Sequence, residues 1–357
     1  MKALVLSGGS GTRLRPLSYS MPKQLVPVGN VPVLFHCLDN LRDADITDVG
    51  IVVGDRGDDI RRAVGDGSAH GLRVTYIQQE APLGLAHCVQ ISEPFLGRED
   101  FVMYLGDNVL VGGVAAHAER FRADCPDAQL LVAKVADPAE YGIAVLGADG
   151  SVERLVEKPS EPVGDTALIG VYFFTKEVHT AVRSIEPSAR GELEITDAIE
   201  WLRRNGRQVR AEIFDGYWKD TGRIEDMLDC NRVLLGSLTP SQAGSVDAHS
   251  ELIGSGPIVI EPGARIERSR IVGPVTIGAG TVVQDSTVGP CVSIGRNGLL
   301  EHAEVEDSIV MDGAAIRGVR GIHGSLIGRN TEVSQAPRFS HRHRLVVGDH
   351  SRIEAAA

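Results

Sequence analysis

The chain has 357 residues, of which 43 % are hydrophobic and 24 % charged, and its formal net charge is −12. That length exceeds what one compact core usually holds, so two domains are expected, with the composition of an ordinary globular protein. The acidic balance argues against nucleic-acid binding, which needs a basic surface, and no apolar run approaches the roughly 20 residues that span a bilayer.

The N-terminus leads straight into an apolar run, 3–6, that reads as a first buried strand. No apolar leader with a cleavage site precedes it, so export is not expected and a cytoplasmic location is. The strand is followed by Leu6-Ser7-Gly8-Gly9-Ser10-Gly11-Thr12-Arg13-Leu14-Arg15-Pro16. A glycine-rich loop after a strand lets backbone N–H groups turn inward onto a phosphate. Arg13 adds a cation that keeps its proton, and Lys23, in Met21-Pro22-Lys23-Gln24-Leu25, adds a second. Together they look built to hold a nucleoside triphosphate. Two familiar loops are excluded: Gly11 is not followed by Lys-Ser/Thr, and Leu14 stands where a dinucleotide fingerprint needs its third glycine.

Further along, 49–53 reads as a strand, 58–64 as a helix, 73–77 as a strand, 83–91 as a helix and 101–105 as a strand. This alternation predicts an α/β domain, Rossmann-like, with a mostly parallel sheet covered by helices. Ligands of such sheets bind beyond the carboxyl ends of the strands, where the glycine loop and the Gly106-Asp107-Asn108 turn both fall. Composition then shifts. The expected division is a catalytic domain over 1–238, a linker over 239–245, and a second domain with its tail over 246–357. In the last, an aliphatic residue followed by glycine recurs about every six residues, as in Ile277-Gly278 and Ile294-Gly295. That is the hexapeptide pattern of a left-handed parallel β-helix. The pattern is irregular over 299–321, which leaves the number of coils open, and 346–353 reads as a last strand or an edge cover.

Five cysteines are scattered singly, so neither a zinc site nor a disulfide framework is indicated; buried reduced thiols are expected. The histidines of 339–344 alternate at period two, which suggests one face of a strand rather than a metal site.

The pattern GGSGTRLRPL…PKQLVPV resembles the sugar-1-phosphate nucleotidylyltransferases, and within them the long-form glucose-1-phosphate thymidylyltransferases. The resemblance covers nearly the whole chain. It implies that glucose 1-phosphate attacks the α-phosphorus of dTTP, giving dTDP-glucose for deoxysugar synthesis and releasing pyrophosphate. Such a reaction needs two mutually repelling anions aligned and their charge stabilised, with no covalent protein nucleophile. By the resemblance, Leu6, Gly8, Gly9, Gly11, Thr12 and Arg13 hold the nucleotide, and Arg13 and Lys23 contact the triphosphate and the leaving pyrophosphate. Gln79 and Gly84 meet the base: an amide offers both donor and acceptor, and glycine permits close approach. Lys158 and Arg190 hold the sugar phosphate. Tyr141, Gly142, Glu157 and the backbone from Leu168 to Gly170 hold the sugar. Asp107 and Asp220 match the family's two acidic ligands and suit Mg²⁺, which takes few protein ligands.

Departures from the family pattern are Val31-Pro32, where many relatives carry Lys-Pro, and Ser18, where many carry Thr. Neither position is expected to carry the reaction. Several short-form relatives end in a helical regulatory region; the β-helix replaces it here, so feedback inhibition is not implied. The flat faces of a β-helix suit a homo-oligomer. A uridylyltransferase making UDP-glucose shares nearly every motif and stays open as an alternative. So does a bifunctional enzyme with acetyltransferase activity in the β-helix, where His302 and His323 lie; a structural or oligomerising role is favoured on fold analogy. A catalytically silent homologue is disfavoured, because Arg13, Lys23, Asp107 and Asp220 are all present.

Overall fold

The apolar run after Met1 forms the strand Lys2–Ser7, buried from Ala3 onward. It lies between Asp48–Val53 and Phe101–Leu105 and runs parallel to both. Arg73–Gln78 extends this parallel set past Asp48–Val53. The computed structural model of the chain describes residues 1–9, 11–148, 150–335 and 350. The histidine segment 339–344 and nearly all of the strand read at 346–353 lie outside the described residues.

The first half of the sheet is parallel, as expected; the second is built around antiparallel pairs. Thr166–Phe174 runs antiparallel to Phe101–Leu105, Ala128–Lys134 and Gly142–Leu146. Val152–Glu157 folds back on Gly142–Leu146. The link between those two strands is too short for a crossover helix, which a parallel pair would require. The result is a mixed nine-stranded sheet. The helices Leu85–Ile91, Val178–Ser184 and Ile195–Arg204 bury Ala86, Val89, Ala181 and Ile199 in the same core as Leu4, Leu6, Phe101 and Met103. Alternation along the strand sends Tyr104 to the other face. There Asn40, on the helix Val33–Asp43, donates to Tyr104 Oη at 3.2 Å and to the Leu110 carbonyl at 3.0 Å.

The chain divides into two compact units. One gathers the N-terminal strand with Val33–Asp220; the other gathers Gly11–Pro32 with the residues from Thr221 onward. The glycine-rich loop is thus split between them after its first two glycines.

Among the described residues the second unit holds a three-sided parallel β-helix with sheets of six, six and five strands, in keeping with the left-handed hexapeptide class. Ile258–Ile260, Val275–Ile277 and Val292–Ile294 stack in register on one side. Ile260, Ile277 and Ile294 fill the interior from that side, and Ile266, Val283 and Leu300 from the next. Fully burying one such side chain contributes about 1.5–3 kcal/mol. Corners are tied by a serine ladder: the Ser286 N–H donates to Ser269 Oγ at 3.1 Å and the Ala303 N–H to Ser286 Oγ at 2.9 Å, each across 17 residues.

Over 299–321, where the sequence pattern looks irregular, the coils continue as Leu299–Glu301, Glu304–Glu306, Ile309–Val310 and Ala315–Arg317. The inward Leu300, Val305 and Ile316 persist there, fully buried. What changes is the corner after the strand: Met311 follows Val310 where Gly278, Gly295 and Gly328 follow the paired Ile277, Ile294 and Ile327, which hides the repeat. Ser241–Gln242 and Ser245–Val246, in the span read as a linker, are already strands of the β-helix. Of the cysteines, Cys37, Cys88 and Cys230 are buried as expected, Cys291 is half-buried, and Cys125 is exposed.

Candidate active site

Ladder register brings three of the expected site segments to one edge of the first unit. Ser7 pairs with Val53, Val53 with Gln78, and Leu6 with Leu105, so the residues after each strand emerge side by side. The Gly106 N–H donates to the Leu6 carbonyl at 2.9 Å. A Cβ on Gly8 would stand 3.5 Å from the Gly54 nitrogen and 3.6 Å from Gln79 Oε1. Gly9 follows, exposed.

Gln79 is tied to its own loop. Its N–H donates to the Val53 carbonyl at 2.9 Å, and its Nε2 to the Gly84 carbonyl at 3.3 Å and to His87 Nδ1 at 3.1 Å. Gly84 has φ 101°, ψ 170° and caps the helix Leu85–Ile91. Only glycine adopts that conformation readily. The Leu193 backbone packs directly against it: the Leu193 N–H donates to Leu83 O at 2.8 Å and Ala86 N–H to Leu193 O at 3.0 Å. Behind the loop, burial pushes the Cys88 thiol up to about 12, so it stays protonated and takes no part as a nucleophile.

Asp107 and Asp220 are neighbours through a short antiparallel ladder. Tyr217–Asp220 pairs with Asn108–Val111, and Asp220 stands opposite Asn108, the residue after Asp107. Asn108 is 3 % exposed and holds both sides together. Its Nδ2 donates to Asp107 Oδ1 at 3.0 Å, and its Oδ1 accepts from Trp218 Nε1 at 2.7 Å. Among the described residues no group of three or more His, Cys, Asp or Glu side chains is placed to hold a metal. A pair of carboxylates suits an ion that keeps most of its water.

The sugar-phosphate residues converge on the Glu157 carboxylate. Arg190 Nη2 donates to Glu157 Oε1 at 3.1 Å and to Glu194 Oε1 at 2.7 Å, while Lys158 Nζ lies 4.0 Å from Glu157 Oε1. Thr196 Oγ1 donates to Glu157 Oε2 at 2.7 Å. A Cβ on Gly142 would stand 2.9 Å from Glu157 Oε2, so glycine there makes room for the carboxylate. Burial alone would lower the Arg190 guanidinium, but its bond to Glu194 and the charges of Glu194 and Glu157 raise it overall. Glu157, Lys158, Arg190 and Glu194 line a cavity of about 640 Å³ with Ser188 and Trp201. Tyr141 accepts the Lys158 N–H at its carbonyl, 3.0 Å away, and sets its ring edge-on to Trp218 at 5.5 Å. Leu168 and Gly170 lie where the ladder of Thr166–Phe174 slips, between Leu168 and Tyr172, with φ 78° at Gly170. Such a bulge releases backbone groups from the sheet.

Gly11, Thr12, Arg13 and Lys23 belong to the second unit. They sit on the single-turn helices Thr12–Leu14 and Lys23–Leu25 and on Gly11, whose φ is 62°. A Cβ on Gly11 would stand 3.1 Å from Lys23 Cβ, so the glycine lets the two cation-bearing turns close on each other. Thr12 and Arg13 are exposed.

Sequence reasoning missed Asn108, Thr196, Glu194, His87 and Trp218 as parts of these clusters. Glu194 and Thr196 lie beside the Arg190 motif, in Glu192-Leu193-Glu194-Ile195-Thr196-Asp197, and that acidic run was the available signal.

The glycine turn and the Asp107 turn lie on the carboxyl side of the parallel strands, where ligands of such α/β sheets bind. The chain belongs to the nucleotidyl transferase family, whose model matches residues 2–236. It is 54 % identical to a glucose-1-phosphate thymidylyltransferase of Streptomyces griseus, over all of both chains. It is 52 % identical to a glucose-1-phosphate thymidylyltransferase of Streptomyces antibioticus, over 99 % of each. A crystal structure of a Bacillus anthracis protein assigned as glucose-1-phosphate thymidylyltransferase, in complex with sucrose, superposes with a TM-score of 0.62 at 32 % identity. It covers 68 % of this chain and 98 % of that one.

Proposed function

We propose that the chain is a glucose-1-phosphate thymidylyltransferase, converting dTTP and glucose 1-phosphate to dTDP-glucose and pyrophosphate. One observation supports the reading beyond family membership: Gly142, Lys158 and Arg190, assigned to the sugar or its phosphate from three separate motifs, meet around the Glu157 carboxylate. Lys158 and Arg190 hold the sugar phosphate by charge, and Glu157 accepts hydrogen bonds from sugar hydroxyls. Gln79 and the Gly84 backbone face the base. Arg13 and Lys23 steady the triphosphate. A phosphate oxygen of the sugar forms a bond to the α-phosphorus as the bond from that phosphorus to pyrophosphate breaks. The negative charge that moves onto pyrophosphate is met by Arg13 and Lys23. Asp107 and Asp220 would hold Mg²⁺, which supplies charge neutralisation between the two anions.

The residues assigned to the reaction all precede 238, where the catalytic portion is taken to end. No helix among the described residues is long and apolar enough to cross a membrane. The reading places the enzyme in the cytoplasm, as a homo-oligomer, supplying dTDP-glucose to deoxysugar synthesis.

The test is pyrophosphate release with Mg²⁺ and glucose 1-phosphate, comparing dTTP with UTP and running Asp107→Asn as background. A dTTP preference that disappears in the variant supports the reading. A UTP preference moves the assignment to a uridylyltransferase, and no release with either nucleotide removes it.

A further inference from the structure

Within the second unit, the segment that carries Arg13 and Lys23 is fastened to a coil of the β-helix. It ends in a hairpin whose strands are Pro27–Val28 and Val31–Pro32. Gly29 and Asn30 close it with φ of 59° and 65°, the pair of positive values that a two-residue turn of this hand requires. Both turn residues are tied down. The Gly29 N–H donates to Asn231 Oδ1 at 2.9 Å, and Asn30 Nδ2 donates to the Ile294 carbonyl at 2.7 Å.

Asn231 is the hub. It lies on the helix Ile224–Gly236 and is 1 % exposed. Its Oδ1 also accepts from Ser293 Oγ at 2.9 Å, and its Nδ2 donates to the Cys291 carbonyl at 3.3 Å. Ser293, in the strand Val292–Ile294, is fully buried. A buried amide satisfied on both atoms by two separate segments, the hairpin at Gly29 and the coil at Cys291 and Ser293, fixes their spacing, because leaving any of those groups unpaired costs the full desolvation of that group. Arg232 adds a second tie from the same helix, a two-pronged pair with Asp307 at 2.6 Å on each side. Arg329 Nη2 reaches the Ser20 carbonyl at 3.5 Å from a later coil.

We propose that Asn231, Ser293 and Asn30 are positioning residues for the reaction: through them the β-helix holds the segment 11–32, and so sets the placement of Arg13 and Lys23 on the triphosphate. The inference rests on the proposed function for the role of the two cations, and on hydrogen bonds alone for the tie. It gives the β-helix a part in nucleotide handling without any ligand of its own.

The experiment uses the full chain in three variants. Asn30→Gly keeps a residue that favours positive φ and deletes the side chain that reaches Ile294. Ser293→Ala deletes the hydroxyl on the β-helix side, and Asn231→Leu removes the hub at similar volume. Hydrogen–deuterium exchange is measured over 11–32, with KM and kcat for dTTP and for glucose 1-phosphate. The expected result is faster exchange over 11–32 in each variant and a rise of roughly tenfold in KM for dTTP, with KM for glucose 1-phosphate changed by less than about twofold. Unchanged exchange in Asn30→Gly and Ser293→Ala overturns the tie, whatever nucleotide the enzyme uses. Faster exchange with unchanged kinetics overturns the positioning role. Wild-type protein inactive on dTTP removes the functional reading and with it the kinetic claim, while the exchange result still decides the tie.

Discussion

Leu193 leaves no room for a side chain on Gly84: its nitrogen would stand 2.6 Å from a Cβ there, and its carbonyl oxygen closer still. The φ of 101° at Gly84 adds a second bar to any other residue. Gly84→Ala should therefore shift both the loop that bears Gln79 and the strip around Leu193. The expected cost is about 1–3 kcal/mol of stability, read as a lower midpoint in urea, together with weaker dTTP binding in a calorimetric titration. A variant with wild-type midpoint and affinity would refute the close packing.

Arg190 holds two carboxylates with one guanidinium, at 3.1 and 2.7 Å. Lysine keeps the charge but lacks the planar fork. Arg190→Lys should raise KM for glucose 1-phosphate about tenfold while KM for dTTP moves little. Equal changes in both constants would place Arg190 outside the sugar-phosphate subsite.

Asp107→Asn and Asp220→Asn each remove one charge beside Asn108, which Asp107 precedes in the chain and Asp220 faces in the ladder. Either change should lower kcat by on the order of 10²–10³-fold and raise the Mg²⁺ concentration needed for half-maximal rate. Unaltered Mg²⁺ dependence in both variants would exclude the pair as the ion's ligands.

Asp197 gives a pH signature. Burial pushes its carboxyl up, and the charges of Glu194 and Glu200 add to this against the pull of Arg190 and Arg204. An acid held above its unfolded value binds its proton more tightly in the folded state. Stability therefore falls as pH rises from the unfolded pKa of about 3.9 through the folded value, and stays lower above it. Asp197→Asn removes this loss, so its Tm relative to wild type should be higher at about pH 7 than at about pH 3. An equal difference at both pH values would show that ionisation of Asp197 carries no cost.

The sheet edge was legible in the sequence because its strands are near-continuous apolar runs ended by glycine or a polar turn, as at Leu6–Gly8 and Leu105–Asp107. Motif residues such as Glu157 and Arg190 were legible through their neighbours in the chain. Their partners were less so. Thr196 meets Glu157 from 39 residues away, and Trp218 meets Asn108 from 110; no local pattern encodes such pairings. The antiparallel half of the sheet escaped for a related reason, since hairpin and crossover connections begin with the same apolar runs. In the β-helix, inward residues kept the period while Met311, standing where Gly278, Gly295 and Gly328 stand in other coils, broke the glycine signal on which the reading relied.

The corner ladder of Ser269, Ser286 and Ala303 makes each coil a module whose ladder bonds run to its neighbours above and below. Change in such an array comes in whole modules: gaining or losing one complete turn preserves every contact elsewhere, whereas a partial turn breaks the rungs on either side. The coil that carries Ser293 has its height along the stack pinned from outside the stack. Any remodelling near Ser293 has to preserve its distance from Asn231, and the later coil that carries Arg329 has its own tie to keep, at the Ser20 carbonyl.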